Sequence, residues 1–323
     1  MKILIAFLML SICIGTSCQS EKTQMTVEEN NSVFPNDKIF QGVSLLGDSL
    51  FTQVDSIVQK ELIRKLNEAE NAYVVDPVLN NLIWIGRREA YLGRYDLAIS
   101  TFSKAIKEYP NEFEPLRHRG HRFITIREFD KAIGDFVKAA EMMQGTDLKI
   151  EQDGMPNKLN IPLSNVQFNV WYHLGLAYYL KGDWENALEA YKNCLAVSNN
   201  DDLKVATLDW YYMTLVKLGR KGEALKVISS VHPGMKIIEN DAYFKRILMY
   251  QGNLKPESLL GEVKNVDEEL LQYVTQGYGL GNFYLSEGDT SKATEVFEKV
   301  IKSGYWAAFG YIAAEMELSK LGK

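Results

Sequence analysis

The chain has 323 residues, 46% of them hydrophobic and 24% charged, a composition that excludes collagen-like, low-complexity and disordered classes for most of its length. At roughly 150 residues per domain it suits two globular domains or one elongated array. The formal charge of -6 argues against nucleic acid as the main partner, because phosphate binding draws on an excess of Lys and Arg.

The first elements decide the expected compartment. Lys2 is followed by the apolar run Ile3 to Leu10, extended through Ile14, and then by Gly15, Thr16, Ser17 and Cys18. This reads as a secretory signal over residues 1–17. The run is shorter than the roughly 20 residues a spanning helix needs, so the expected membrane link is a lipid anchor only. Ser17-Cys18 resembles the lipobox of bacterial lipoproteins, although Gly15 stands where that family usually carries Leu or Val. The resemblance implies lipidation of Cys18 and export as a bacterial outer membrane lipoprotein, periplasmic or surface-facing. Plain secretion into the periplasm is the alternative. With Cys18 acylated and Cys13 removed, Cys194 is left alone and no disulfide framework can form. Residues 18–52 are polar and mixed, and read as a tether whose later part, Ile39 to Phe51, is apolar enough to dock on the body in extended form. Residues 53–78 carry helical apolar spacing and predict an N-terminal helix.

A fixed period organises the rest. Ala98 and Ala132, Gly86 and Gly120, Phe102 and Phe136, and Ala105 and Ala139 are each 34 residues apart. A third unit reads Trp171-x2-Leu174-Gly175-x2-Tyr178, followed by Gly182, Ala187 and Tyr191. These residues resemble the tetratricopeptide repeat, a helix pair in which small residues let two helices approach and large ones fill the next groove. The resemblance implies an all-α, right-handed superhelical stack of about six such pairs. Units one and two span 79–146 and units three to six span 168–307, the fifth degenerate. A C-terminal capping helix is expected over 305–323, since a stack needs an amphipathic end. The spacing Ala132 to Ala187 is 55 rather than 34, so residues 147–167 are an insertion, a loop long enough to be functional.

The repeat resemblance also implies which residues line the concave surface. Counting along helix A puts Asn80, Ile83, Trp84, Arg87 and Tyr91 there in unit one, Glu114, Arg117, His118, His121 and Thr125 in unit two, and Asn169, Tyr172, His173 and Tyr179 in unit three. Three of the chain's four histidines thus share one wall with two arginines. Three readings compete for that wall: a zinc site of His118, His121 and His173, a clamp for a carboxylate-bearing ligand, and a solvated face paired with Glu89, Glu112 and Glu114. Relatives that clamp a terminal carboxylate use Lys and Asn, whereas the matching positions here are Ile83, Arg87, His118, Asn169 and His173. Arg119 stands where a packed Leu or Ile is usual, so it needs a carboxylate, expected from Glu151 or Asp153 of the insertion.

The resulting expectation is a non-catalytic binding or assembly module of the bacterial cell envelope, without a cofactor or a metal. Its groove would take an acidic peptide segment or a carboxylate through Trp84, Arg87, Arg117, His118, His121, Tyr172 and His173. An anion beside the histidines would favour their charged forms, so affinity is expected to rise as pH falls from about 8 to 6. Common phosphate-loop, zinc-protease and serine-hydrolase signatures are missing from the sequence. The alternative is an enzyme, possibly metal-dependent, whose insertion closes over the His/Arg cluster.

Overall fold

The computed structural model describes residues 38–52, 56–154, 156–261 and 267–322. The expected signal segment, Cys18 and the first part of the tether lie outside the described residues. A hairpin of β1 (Ile39–Val43) and β2 (Ser49–Thr52) precedes α1 (Ser56–Val75). Helix pairs follow: α2 (Leu79–Tyr91) with α3 (Tyr95–Glu108), α4 (Glu114–Thr125) with α5 (Phe129–Met142), α6 (Val166–Lys181) with α7 (Trp184–Ala196), and α8 (Asp201–Lys217) with the short α9 (Lys221–Val227). In the degenerate unit α10 (Asp241–Tyr250) is followed only by a 3-10 turn at Pro256–Ser258. The last pair is α11 (Asp267–Ser286) and α12 (Thr290–Lys302), and α13 (Phe309–Lys320) ends the chain.

The 34-residue period has a direct packing meaning. A Cβ on Gly86 would stand 2.6 Å from the Phe102 ring, one on Gly120 2.8 Å from Phe136, and one on Gly175 2.7 Å from Tyr191. Units one to three, and the last unit through Gly281 beneath Phe297, therefore repeat one bare-backbone contact beneath one aromatic ring, the close approach that fixes helix A against helix B. Ala98, Ala132, Ala187, Ala224 and Ala293 are fully buried at the partner position. The run Gly277-Tyr278-Gly279-Leu280-Gly281 belongs to α11, where its glycines abut Val300, Arg246 and Phe297. It is a packing surface in a helix and cradles no phosphate.

The turns between paired helices need a left-handed residue, and Gly93, Gly182, Gly219, Gly252 and Gly288 supply it with φ between 68° and 83°. Unit two carries Arg127 there instead, at φ 67°, a conformation that costs a side chain roughly 1–3 kcal/mol. Arg127 Nη2 lies 2.7 Å from Glu315 Oε1, with both side chains almost wholly buried. That pairing holds the turn.

Two segments bear on the expectations for the chain ends. Residues 38–52, the later part of the expected tether, dock on unit one in extended form, as a hairpin. Tyr95 N donates to Gln41 Oε1 at 3.1 Å, and Thr52 Oγ1 donates to the Gly93 carbonyl at 2.9 Å. At the C terminus the expected helix is present and covers the last pair, but where a cap keeps one polar outer face, every residue of α13 from Gly310 to Leu318 is buried. Helix α13 packs on α6, α11 and α12. Phe309 meets the rings of His121 at 5.2 Å and His173 at 5.4 Å, both on the face counted as concave. Glu317 pairs with Lys217 at 2.6 Å, Lys320 stands over Trp184 at 4.7 Å, and Trp306 packs edge-on against Tyr95 at 5.7 Å. The stack curls around its own last helix. The physical reason lies in composition: apart from Glu315 and Glu317, which find cations in Arg127 and Lys217, the segment is apolar around the helix and is stable only where it is enclosed.

Two substitutions test this packing. Ala132→Leu should overpack the α4–α5 contact and cost about 1–3 kcal/mol, read as a lowered melting temperature. Gly310→Ala would drive a methyl against the Val274 carbonyl, a backbone atom that no rotamer change relieves. It should destabilise the protein by a similar amount, about 1–3 kcal/mol, whereas an exposed end cap would tolerate it.

Candidate functional site

The His/Arg wall is assembled from α2, α4 and α6, and two further elements cover it. Residue 150 bridges to Asn165 in antiparallel fashion, with Glu151 N donating to the Ser164 carbonyl at 3.0 Å. The insertion thereby sends residues 150–154 back across the face toward unit one, where Arg88 donates to the Gly154 carbonyl at 3.3 Å. The second cover is Phe309 of α13, described above.

The insertion carries an acid into the wall. Glu151 Oε1 lies 2.9 Å from Arg117 Nη2, and Glu151 Oε2 accepts from Asn169 Nδ2 at 3.0 Å. Arg117 is 8% exposed and Glu151 also 8%, so this is a desolvated pair whose partner comes from the chain itself. Arg119, for which Glu151 or Asp153 was the expected partner, instead makes a bidentate pair with Asp135 of α5 at 2.7 and 2.8 Å. The shorter path wins, since α5 is the second helix of the same unit. Of the acids assigned to a solvated face, Glu114 is buried and ion-paired to Lys149 of the insertion. Glu89 is buried too, and burial pushes its carboxyl up to about 7.

The three histidines come together, but as neutral rings. His121 and His173 are tilted against each other at 4.5 Å, and His118 stacks on Phe102 at 5.4 Å. Burial holds all three pKa values well below the usual 6.5, and the charges of Arg117 and Arg122 lower them further. Hydrogen bonding agrees. Arg117 Nη1 can only donate, so His118 Nδ1, at 3.2 Å, accepts through a lone pair that a charged ring lacks. His173 Nδ1 donates to the Asn169 carbonyl at 2.5 Å. The expected rise in affinity between pH 8 and 6 therefore does not follow from these groups. Zinc fits no better, for among the described residues no group of three His, Cys, Asp or Glu side chains is disposed to hold a metal.

The remaining residues divide by access. Tyr172 is buried, its hydroxyl donating to Tyr243 at 2.9 Å and accepting from Trp210 Nε1 at 2.7 Å, so it serves the core more than a ligand. Trp84 and Arg87 stay partly exposed, with the guanidinium 4.2 Å above the indole ring. Arg87 borders a cavity of about 340 Å³ on the α6 side of the insertion and one of about 350 Å³ on the α2 side. It has no carboxylate partner among the described residues. Arg122, outside the counted groove positions, also reaches this region. It lies four residues from His118, one turn along the same helix face, which is the signal in the sequence that could have found it.

Comparison with known proteins agrees with this architecture. The tetratricopeptide-repeat family model matches residues 82–112, 168–201 and 278–303. The chain carries tetratricopeptide repeats. BBSome complex member BBS4 from Bos taurus is 25% identical over 144 residues, 45% of this chain, and the match spans 24% of that protein. Similar solved structures include a tetratricopeptide repeat protein from Parabacteroides merdae, at 13% identity with TM-score 0.46, covering 82% of this chain and 94% of that one. Another is YrrB, described as having an unusual peptide-binding site, at 15% identity with TM-score 0.40, covering 73% and 91%.

A titration tests the histidines of this repeat protein, His118 and His173 buried and His121 half-buried. A group whose folded pKa is depressed adds stability that is complete above the unfolded value of 6.5 and is lost as pH falls toward the folded value. Glu89 and Asp209, both raised to about 7 by burial, act in the opposite sense, losing stability as pH rises toward 7, so the imidazoles themselves should be followed. Their NMR shifts should stay at neutral-ring values from pH 8 to 6. A midpoint at 6.5 or above for His118, His121 or His173 would contradict the enclosure of the wall.

Proposed function

We propose that this repeat protein is a non-catalytic binding or assembly module of the bacterial cell envelope, anchored through Cys18 and taking an acidic peptide segment along units one and two. Repeats of this kind are in general non-catalytic scaffolds, which supports a protein or peptide partner. The observation that carries the acidic character is Arg87, a guanidinium without a carboxylate partner among the described residues, stacked on Trp84 between two open cavities. A partner carboxylate there would gain a charge-assisted fork while its neighbouring side chains cover the indole. Arg117 is committed to Glu151, so the contact surface shifts from the middle of the wall to the unit-one edge.

Anisotropy with a labelled Asp/Glu-rich decapeptide measures this. Arg87→Glu should weaken binding by about tenfold or more, with a smaller loss for Trp84→Ala. Raised salt should weaken it further, because the edge is solvent-exposed. Equal affinity of parent and Arg87→Glu proteins would remove the acidic-peptide reading. For the anchor, Cys18→Ala should move the protein from the membrane fraction to the soluble one.

The enzymatic reading draws on one observation, the passage of the insertion over the His/Arg cluster. It requires turnover in a hydrolase screen that disappears in His121→Ala.

A further inference from the structure

Beside the insertion lies a small, half-open cavity of about 100 Å³. Its charged lining is Arg87 from α2, Arg117 and Arg122 from α4, and Glu151 from the insertion. Three guanidiniums thus face one carboxylate across a space walled by Phe102, His118 and His121. Glu151 satisfies Arg117 Nη2 alone. Arg117 Nε is buried with no acceptor, and Nη1 reaches only the neutral His118 ring. Arg122 has an aromatic neighbour, Tyr95 at 5.5 Å, and no carboxylate among the described residues. Burial and the adjacent arginines lower its pKa to about 10. Asp153 lies near Arg87, but it lines the neighbouring open cavity and is itself only partly buried.

Guanidiniums drawn out of water are stable where anions balance them; Arg117 is buried and Arg87 and Arg122 are half-buried, and with Glu151 in the lining and Asp153 beside Arg87 positive charge still exceeds negative here. At about 30 Å³ per water the space holds roughly three waters, the scale of a group of four or five heavy atoms. Arginine forks match the oxygens of such a group in geometry as well as charge. We propose that the cavity bounded by Arg87, Arg117 and Arg122 is a binding site for a small tetrahedral dianion of the phosphate or sulfate type, with Glu151 as its competing lid. The site goes beyond the peptide edge at Trp84, with which it shares Arg87. An anion here ties α2 to α4 and adds to the order of the face that a partner would meet.

Thermal unfolding of the full chain in inorganic phosphate, in sulfate, and in chloride at matched ionic strength tests the site. At ten times the dissociation constant, phosphate and sulfate should raise the midpoint by about 2–4 °C over chloride. Arg122→Gln should abolish that increment while helical circular dichroism is kept. Glu151→Gln removes the competing carboxylate, so phosphate should bind about tenfold more tightly by calorimetry. A merely structural role for Glu151 predicts no such gain. Glycerol 3-phosphate separates the sources of the chemistry: binding of inorganic phosphate alone assigns the free ion, and binding of both assigns a phosphoryl head group. Equal midpoints in phosphate and chloride, or an unchanged increment in Arg122→Gln, would overturn the proposal. Because Arg87 is shared, Trp84→Ala, which touches the edge alone, and Arg122→Gln, which touches the small cavity alone, keep the two readings distinguishable.

Discussion

The burial of α13 is the constraint on which the rest of the structure depends. Its residues Gly310 to Leu318 are enclosed on all sides, and two of them, Glu315 and Glu317, are acids. A buried carboxylate without a cation costs several kcal/mol, so such a helix settles only where cations already wait. Arg127, at the turn of unit two, and Lys217, at the end of α8, are those cations. Together they fix the helix along and across the stack. The strained φ of Arg127 is understandable in the same terms, since glycine would relax the turn but forfeit the pair.

Once α13 is in place, the surface left for a partner changes. A tetratricopeptide stack with an empty interior would offer its whole concave wall, whereas here Phe309 fills the space beside His121 and His173 and the insertion crosses beside Arg117. The chain's own aromatic ring and its own carboxylate meet the residues that looked most ligand-like. What stays open is the unit-one edge at Trp84 and Arg87, together with a small pocket where arginines outnumber acids. A module built this way presents a narrow rim to a partner and keeps its polar centre out of water. Neutral imidazoles suit such a centre, for they bond to Arg117 and to the Asn169 carbonyl without adding charge.

Much of the fold was legible in the sequence because its determinants are local and periodic. Gly86, Gly120 and Gly175 lie under Phe102, Phe136 and Tyr191 at a constant offset, so the helix pairs could be counted without knowing how the stack curves. The juxtaposition of His118, His121, His173 and Arg117 was legible for the same reason, as register along helix A carries over from one unit to the next. The electrostatic state of those residues was not. Whether a histidine on a groove wall is solvated and titratable, or buried and neutral, depends on what lies across the groove.

Residue spacing by itself therefore determined the helix pairs, their order, the insertion and the residues sharing one wall. Only the tertiary structure decided that α13 fills the interior, that Glu151 and not an outside anion meets Arg117, and that Arg119 turns to Asp135. Each of these is a contact between elements far apart in the chain or a choice among several nearby acids. Such choices are settled by desolvation and the shape of the enclosed space, quantities that exist only after the stack has closed.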